Sequence, residues 1–498
     1  MGVAFVPLYL KLLGIERYGL IGFFLTLQSV LGILDLGLSL TLNRELARAE
    51  RGTADTERTA RLLRTIELTY WSIALLAGLL VVTFASWVPG KWINSTLPPG
   101  EIVSVVRIMG VLIALQMPLA LYQGGLGGLQ RQVSVNLIVM LSVTVRNGGA
   151  ALILWLISPS IEAYFIWQLA VTAVATLFSA TLLWRLIPGG FAAGRLDFSL
   201  FKELWRFATA VSANSVVGIA LTQLDKVILI KMLSLREFGY YSLASLVASF
   251  LWSIILPINT ALYPRFVQLL ERGDPVALRD LYHKSCQFLT VVLAPATVIL
   301  ALFSRELLLL WTGNAATADN SYVLVALLGI GTAINGMASV PASLQSAAGW
   351  PGLVLKTNTV LMTVLVPTLL VLVPLFGARG AALVWLAINC IYITVTVPIM
   401  HRRLLHGELS RWYTVDVALP TCAAVVVGFL GRVVMPTEWP RALQFAYLAC
   451  LGSACVVAAG LTAPQIRATV VRFLLHRNAA PGSSAGTMSA ASTPKGVH

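Results

Sequence analysis

Residues 134–157 read SVNLIVMLSVTVRNGGAALILWLI, an apolar run with a single charge, Arg146, near its middle. As an α-helix it would extend about 36 Å, enough to cross a hydrocarbon layer of about 30 Å. A membrane β-strand needs only about ten residues and alternates polar with apolar positions; this run is longer and does not alternate. In lipid every backbone polar group must find its partner inside the chain, so a helix is the expected form.

The same pattern recurs along the chain. Apolar runs lie near 2–13, 19–42, 68–89, 102–123, 134–157, 163–187, 208–230, 239–262, 286–303, 322–346, 357–376, 380–400, 414–435 and 442–462. The expected fold class is therefore all-α and polytopic, with about fourteen transmembrane helices. The first run is short: residues 2–13 reach only about 18 Å. Either that helix is partly unwound or the true start lies upstream of Met1, and the second reading is preferred. No basic n-region or small-residue cleavage site marks a signal peptide.

Composition agrees. Of 498 residues 58% are hydrophobic and 11% charged, against about 25% charged in soluble domains, and the mean hydropathy is +0.83. A soluble multidomain enzyme, a disordered chain and a nucleic-acid binder are excluded. The net charge of +14 reflects orientation. Alternate connections collect 23 Lys and Arg on one side, including Arg44, Arg48, Arg58, Arg61 and Arg64, against eight on the other. The basic side is expected to be cytoplasmic, with both termini inside.

Lys11 to Gly19 echoes Lys231 to Gly239, and Pro118 to Asn136 echoes Pro341 to Asn358, at an offset near 220 residues. Six spans separate the copies, so they share one orientation. Two parallel six-helix bundles are expected, 1–190 and 191–403, followed by two further helices in 404–463. Residues 464–477 read as a helix on the inner surface or an extension of the last span. Residues 478–498, rich in Ala, Ser, Gly and Pro, read as a disordered tail.

No catalytic or metal constellation stands out. The five cysteines form no CxxC pair, the five histidines lie in polar connections or the tail, and no phosphate-binding loop with its lysine is present. No cofactor, metal or ATP hydrolysis is expected. Charges within spans are costly and usually face a cavity or a partner. Arg146 either binds a phosphate through its bidentate fork or pairs with an acid in helix packing. Asp225 either binds a coupling cation or neutralises Arg146 or Arg107, while the adjacent Lys226 faces the cavity or snorkels. Asp35 either accepts a proton or caps a broken helix. Arg107 is near enough to its membrane face to snorkel and is otherwise a cavity candidate.

Several pieces in order resemble a Wzx-type oligosaccharide flippase of the multidrug/oligosaccharidyl-lipid/polysaccharide exporter superfamily. These are Leu13-Gly14-Ile15-Glu16-Arg17-Tyr18-Gly19, Leu34-Asp35-Leu36-Gly37-Leu38 with Arg44-Glu45, Pro118 through Leu129-Gln130-Arg131, Leu224-Asp225-Lys226, and Gly239-Tyr240-Tyr241-Ser242-Leu243-Ala244. The resemblance covers most of residues 1–462. It implies a bacterial plasma-membrane transporter that flips an undecaprenyl-pyrophosphate-linked oligosaccharide for polysaccharide biosynthesis, by alternating access and without ATP hydrolysis. Its implied partners are the lipid-linked glycan and the bilayer, with a polysaccharide polymerase and glycosyltransferases as candidate protein partners. A cation-coupled multidrug exporter and a peptidoglycan-precursor flippase of the same superfamily remain open. A membrane glycan polymerase or ligase is disfavoured, because the longest outer connections hold few acids and no histidine.

Overall fold

The computed structural model describes residues 2–50, 56–187, 190–193, 197, 222–350, 352–436, 439–469 and 472. Among these the fold is all-α, with two isolated bridges, Pro89 to Ile93 and Asn94 to Ser234, and no strand. The first eight helices are α1 (Gly2–Leu31), α2 (Leu38–Glu50), α3 (Thr56–Phe84), α4 (Pro99–Gly128), α5 (Gln132–Leu156), α6 (Ile161–Leu186), α7 (222–232) and α8 (Leu235–Ser249). They are followed by α9 (Trp252–Arg272), α10 (Pro275–Leu302), α11 (Ser304–Thr312), α12 (Ala315–Ala347) and α13 (Gly352–Phe376). After α14 (Ala378–Ile391), a π-helical turn, Tyr392–Thr396, leads into α15 (Val397–Leu404). A second π-helical turn, Trp412–Ala418, joins α16 (Leu409–Arg411) to α17 (Leu419–Val434), and α18 (Arg441–Thr462) closes the series.

Eleven helical runs among the described residues are long and apolar enough to cross a membrane, and α8 with α9, bent by 40°, makes a twelfth. Two features separate this from the fourteen expected spans. Most of the run 208–230 lies outside the described residues. The first two runs form one helix, α1, broken where Gly14 adopts φ 78° and ψ 167°. The left-handed φ is why glycine stands there, since nothing lies near enough to crowd a side chain. The expected tail 478–498 lies outside the described residues, as does most of 470–477; residues 464–469 are helical.

Side-chain burial shows what surrounds these helices. On α13, Leu361, Leu365, Leu369 and Val373 are buried, while Val360, Val364, Val371 and Leu375 are exposed. On α5, Leu141, Val145, Leu152 and Leu156 are exposed at the same helical spacing. Apolar stripes on both faces fit a helix packed on one side and bathed in lipid on the other. Helix starts follow ordinary capping rules. Pro99 sits in the first turn of α4, and Ser234 with Glu237 forms a reciprocal capping box on α8.

By contact the chain divides into two compact units. The first holds the chain up to Leu251, Phe303–Asn335 and Trp350–Val397; the second holds Trp252–Leu302, Gly336–Gly349 and the chain from Pro398 onward. Within the first unit, the repeated segments meet each other. A Cβ on Gly19 would lie 2.5 Å from the Leu235 carbonyl oxygen, and one on Gly239 would lie 2.5 Å from the Ile15 carbonyl oxygen. The offset of 220 residues maps each of these contacts onto the other. It also maps Gly22 onto Ser242, and a Cβ on Gly22 would lie 2.7 Å from the Ser242 Cβ. Two copies of one sequence motif thus pack about a local pseudo-two-fold axis through positions 22 and 242.

This packing predicts a reversal of the usual glycine rule. Gly→Ala within a helix ordinarily stabilises by about 1 kcal/mol. Gly239→Ala is expected instead to destabilise by about 1–3 kcal/mol through overpacking against a backbone oxygen. Gly100→Ala, in open space in the first turn of α4, is expected to be neutral or stabilising. Thermal unfolding of the two purified variants in detergent checks the contrast.

Candidate functional site

The first unit gathers a polar site where α5 and α6 meet α1. Arg146 is on α5, and its Nη2 donates to Thr172 Oγ1 at 3.3 Å on α6. Its Nε is buried and has no hydrogen-bond partner among the described residues. No carboxylate among those residues lies within ion-pairing distance of it. The walls are polar but uncharged. Tyr9 donates to the Asn147 carbonyl at 2.8 Å and packs edge-on against Tyr164, with ring centroids 5.3 Å apart. Gln168 Nε2 reaches the Arg146 carbonyl at 3.5 Å. Gln168, Thr172 and Tyr164 are all buried. An arginine fork among neutral amide and hydroxyl neighbours has its remaining hydrogen-bonding capacity free for an anion.

The other charged candidates are placed separately. Asp225, on α7, is buried and accepts from Tyr241 on α8 at 2.7 Å through Oδ2. Its Oδ1 is buried without a partner among the described residues. Lys226 is half-buried and turns back along its own helix, donating to the Thr222 carbonyl and Gln223 Oε1, each at 3.3 Å. Arg107 is exposed on α4. Asp35 stands where the helix breaks between α1 and α2, as the last residue of a 3-10 turn and just before Leu36 at φ 48°. Its Oδ1 accepts from the Ser39 amide at 3.3 Å, from Ser39 Oγ at 2.5 Å and from Tyr70 at 2.5 Å. The Ser39 amide is an otherwise unpaired donor of the first turn of α2, so Asp35 caps that broken helix. No ion pair joins Arg146, Arg107 or Lys226 to Asp225 or Asp35 among the described residues.

An apolar cleft of about 470 Å³ also opens in this unit, lined by Phe23, Leu27, Val30, Leu80, Trp87 and Val227 among others.

The family described as polysaccharide biosynthesis protein matches residues 1–270. The chain belongs to that family. It is also 22% identical over 380 residues to a Shigella flexneri protein named "Putative O-antigen transporter", covering 75% of this chain and 87% of that one. Among solved structures, the fold is similar to "Lipid II flippase MurJ, inward closed conformation", with a TM-score of 0.67 and 11% identity over 95% of this chain and 98% of that one. It is likewise similar to an inward-facing multidrug resistance MATE family transporter of the MOP superfamily, with a TM-score of 0.65 and 14% identity over 82% of this chain and 96% of that one.

The structure also contains buried polar centres that the sequence does not single out. Glu67 on α3 is one. Its Oε1 accepts from Tyr122 on α4 at 2.6 Å and from Trp184 on α6 at 3.1 Å, and Oε2 pairs with Arg64 at 2.9 Å. Trp71 donates to the Tyr122 hydroxyl at 3.0 Å, and the Arg64 guanidinium lies over the Phe191 ring at 4.2 Å. The signal was the aromatic pair Tyr122 and Trp184, each near the end of its apolar run and each needing a partner when buried. A second such centre surrounds His283 in the other unit. There the signal was a polar stripe at helical spacing, Asp280, His283 and Gln287.

Glu67→Ala is expected to cost about 3 kcal/mol, because it leaves Arg64, Tyr122 and Trp184 without their acceptor. Glu67→Gln keeps an oxygen for the two aromatic donors and is expected to cost about 1 kcal/mol. Thermal midpoints of the two variants in one detergent provide the check.

Proposed function

We propose that the protein flips a lipid-linked oligosaccharide, carried on undecaprenyl pyrophosphate, across the bacterial plasma membrane for polysaccharide biosynthesis. Transport proceeds by alternating access with no ATP hydrolysis and no catalytic step. The observation that carries this reading is Arg146: a half-buried arginine inside a span, with a buried, unpartnered Nε and no carboxylate counter-charge among the described residues. Such a group is costly to keep in a membrane unless an anion visits it. A diphosphate supplies that anion, and Arg matches its geometry through two parallel hydrogen bonds. Lys226 and Arg107 are the further cationic contacts on this reading, and Asp225 and Asp35 are the groups open to ion coupling or charge balance. Membership of a polysaccharide biosynthesis family and likeness to an O-antigen transporter support the glycan cargo. The repeat supports transport through two like-oriented halves, 1–190 and 191–403. The excess of Lys and Arg in alternate connections supports placing both termini in the cytoplasm.

Arg146→Ala is expected to abolish glycan export at normal protein level, and Arg146→Lys, which keeps the charge and loses the fork, to retain part of it. Surface-glycan detection beside membrane immunoblotting reads both. Normal export in Arg146→Ala overturns the assignment. Drug resistance conferred by overexpression identifies a multidrug exporter instead, and essentiality of the gene identifies a peptidoglycan-precursor flippase.

An outward-moving diphosphate also couples to the membrane potential. Two negative charges leaving a negative interior gain about 4–5 kcal/mol per 100 mV. Flipping in vesicles is therefore expected to accelerate with an interior-negative potential and to slow when that potential is collapsed or reversed. A rate independent of the clamped potential shows that no net charge crosses.

A further inference from the structure

A buried ionisable cluster in the second unit plays no part in the site around Arg146. His283 lies on α10, two turns from its start, and is completely buried. Both of its ring nitrogens meet carboxylates. Nδ1 contacts Oδ2 of Asp416, which is also completely buried and sits on the π-helical turn 412–418. Nε2 lies 3.1 Å from Glu408 Oε2. The outer oxygen of Asp416 is fixed as an acceptor by a short chain of amides. The Gln465 backbone N–H donates to Gln287 Oε1 at 2.9 Å, so the Gln287 amide must turn its Nε2 toward Asp416 Oδ1, also at 2.9 Å.

Counting donors decides the state of this cluster. An ionised carboxylate only accepts, and a neutral imidazole carries a single N–H. Two ring nitrogens facing two carboxylates therefore require one proton more than a neutral ring and two ionised acids provide. That proton makes the ring an imidazolium or one of the acids neutral. Without it, a ring lone pair faces a carboxylate lone pair, a buried mismatch that favours separation.

We propose that His283, Asp416 and Glu408 form a proton-binding site whose occupancy fastens α10 to the segment 408–418. Asp416 is held by Gln287, whereas Glu408 is partly exposed, so loss of the proton releases the Glu408 contact. The surrounding charges fit a single bound proton. Arg279 and Arg411 lie 3.7 Å and 4.0 Å from Glu408 and offset the second carboxylate. Asp280 accepts from the Gln465 side chain at 3.2 Å, and Tyr282 hydrogen-bonds His401 at 3.1 Å. Lys284 and Cys286 flank the site on α10, and Tyr413 flanks it beside Trp412. On α9 the ionisable groups are Tyr263, Arg265, Glu271 and Arg272, and Arg467 follows α18. Arg432 on α17 and Arg441 on α18 stand at the ends remote from His283, and the remaining ionisable groups there are cysteines and Tyr447. The inference stands on the cluster alone and is independent of the transported substrate.

The test uses the full chain, 15N-labelled at histidine, in detergent micelles, with the His283 signals assigned by their loss in His283→Gln. Between about pH 5 and pH 8, the range in which histidine clusters exchange protons, the His283 signals are expected to shift. Over the same interval the thermal midpoint is expected to fall by several degrees as the pH rises, because losing the proton undoes the Glu408 contact that fastens α10. Glu408→Gln is the decisive variant. Its amide can donate to a neutral ring, so the site no longer needs the extra proton, and the pH dependence of the midpoint is expected to flatten with the fold retained. His283 signals and a thermal midpoint that stay constant across the interval overturn the proposal. So does a Glu408→Gln profile identical to that of the unaltered protein.

Discussion

A polar group placed in hydrocarbon must bring its partner with it, and the rest of this structure depends on that constraint. It makes every described span helical, because only a helix pairs its own backbone groups. It also explains the arrangement of the buried side chains. Glu67 gathers Tyr122, Trp184 and Arg64 from three helices, and Asp35 takes the donors left over where a helix breaks. Tyr241 crosses from α8 to meet Asp225. In each case the stabilisation is modest, while an unmade bond would be costly, so the network selects one packing among many apolar alternatives. Arg146 stands apart from this rule, and that departure gives it its functional interest.

The spans themselves were legible in the sequence. Long apolar runs such as 134–157 are as long as the membrane is thick, and the repeat could be found because Lys11 to Gly19 and Lys231 to Gly239 keep the same small and charged positions. What the sequence could not display was which charge meets which. Asp416 lies near the start of the run 414–435 and Glu67 just before the run 68–89, and neither position names a partner. His283 read as part of a polar connection, yet it lies well inside α10 with carboxylates on both sides. The pairings of His283 with Asp416 and of Glu67 with Trp184 join residues more than a hundred positions apart, and local pattern marks the polar positions without naming their partners. Asp35 falls between the two cases. Its place beside Leu36-Gly37 already suggested a helix break, but the Tyr70 hydroxyl that completes its bonding comes from another helix. Around Gly14 the reverse holds: the charges at Glu16 and Arg17 divide the sequence into two runs, whereas the structure carries one helix, α1, through them and confines the break to the backbone of Gly14.

The two polar clusters also differ in how they use charge. The Arg146 pocket offers a cation with neutral neighbours, an arrangement open to an anion from outside. The His283 cluster is self-contained, with its acids and base already facing one another and only a proton left to vary.

The contact among Gly19, Gly22, Gly239 and Ser242 has a consequence for ancestry. When a duplicated segment packs against its own descendant, a position on the local axis confronts its twin, and the two share one small volume. Bulk gained in one copy must be matched by bulk forgone in the other. Glycine at 22 opposite serine at 242 records such an asymmetric settlement. Substitutions at these two sites are therefore coupled by volume, while positions of the repeat away from the axis carry no such constraint.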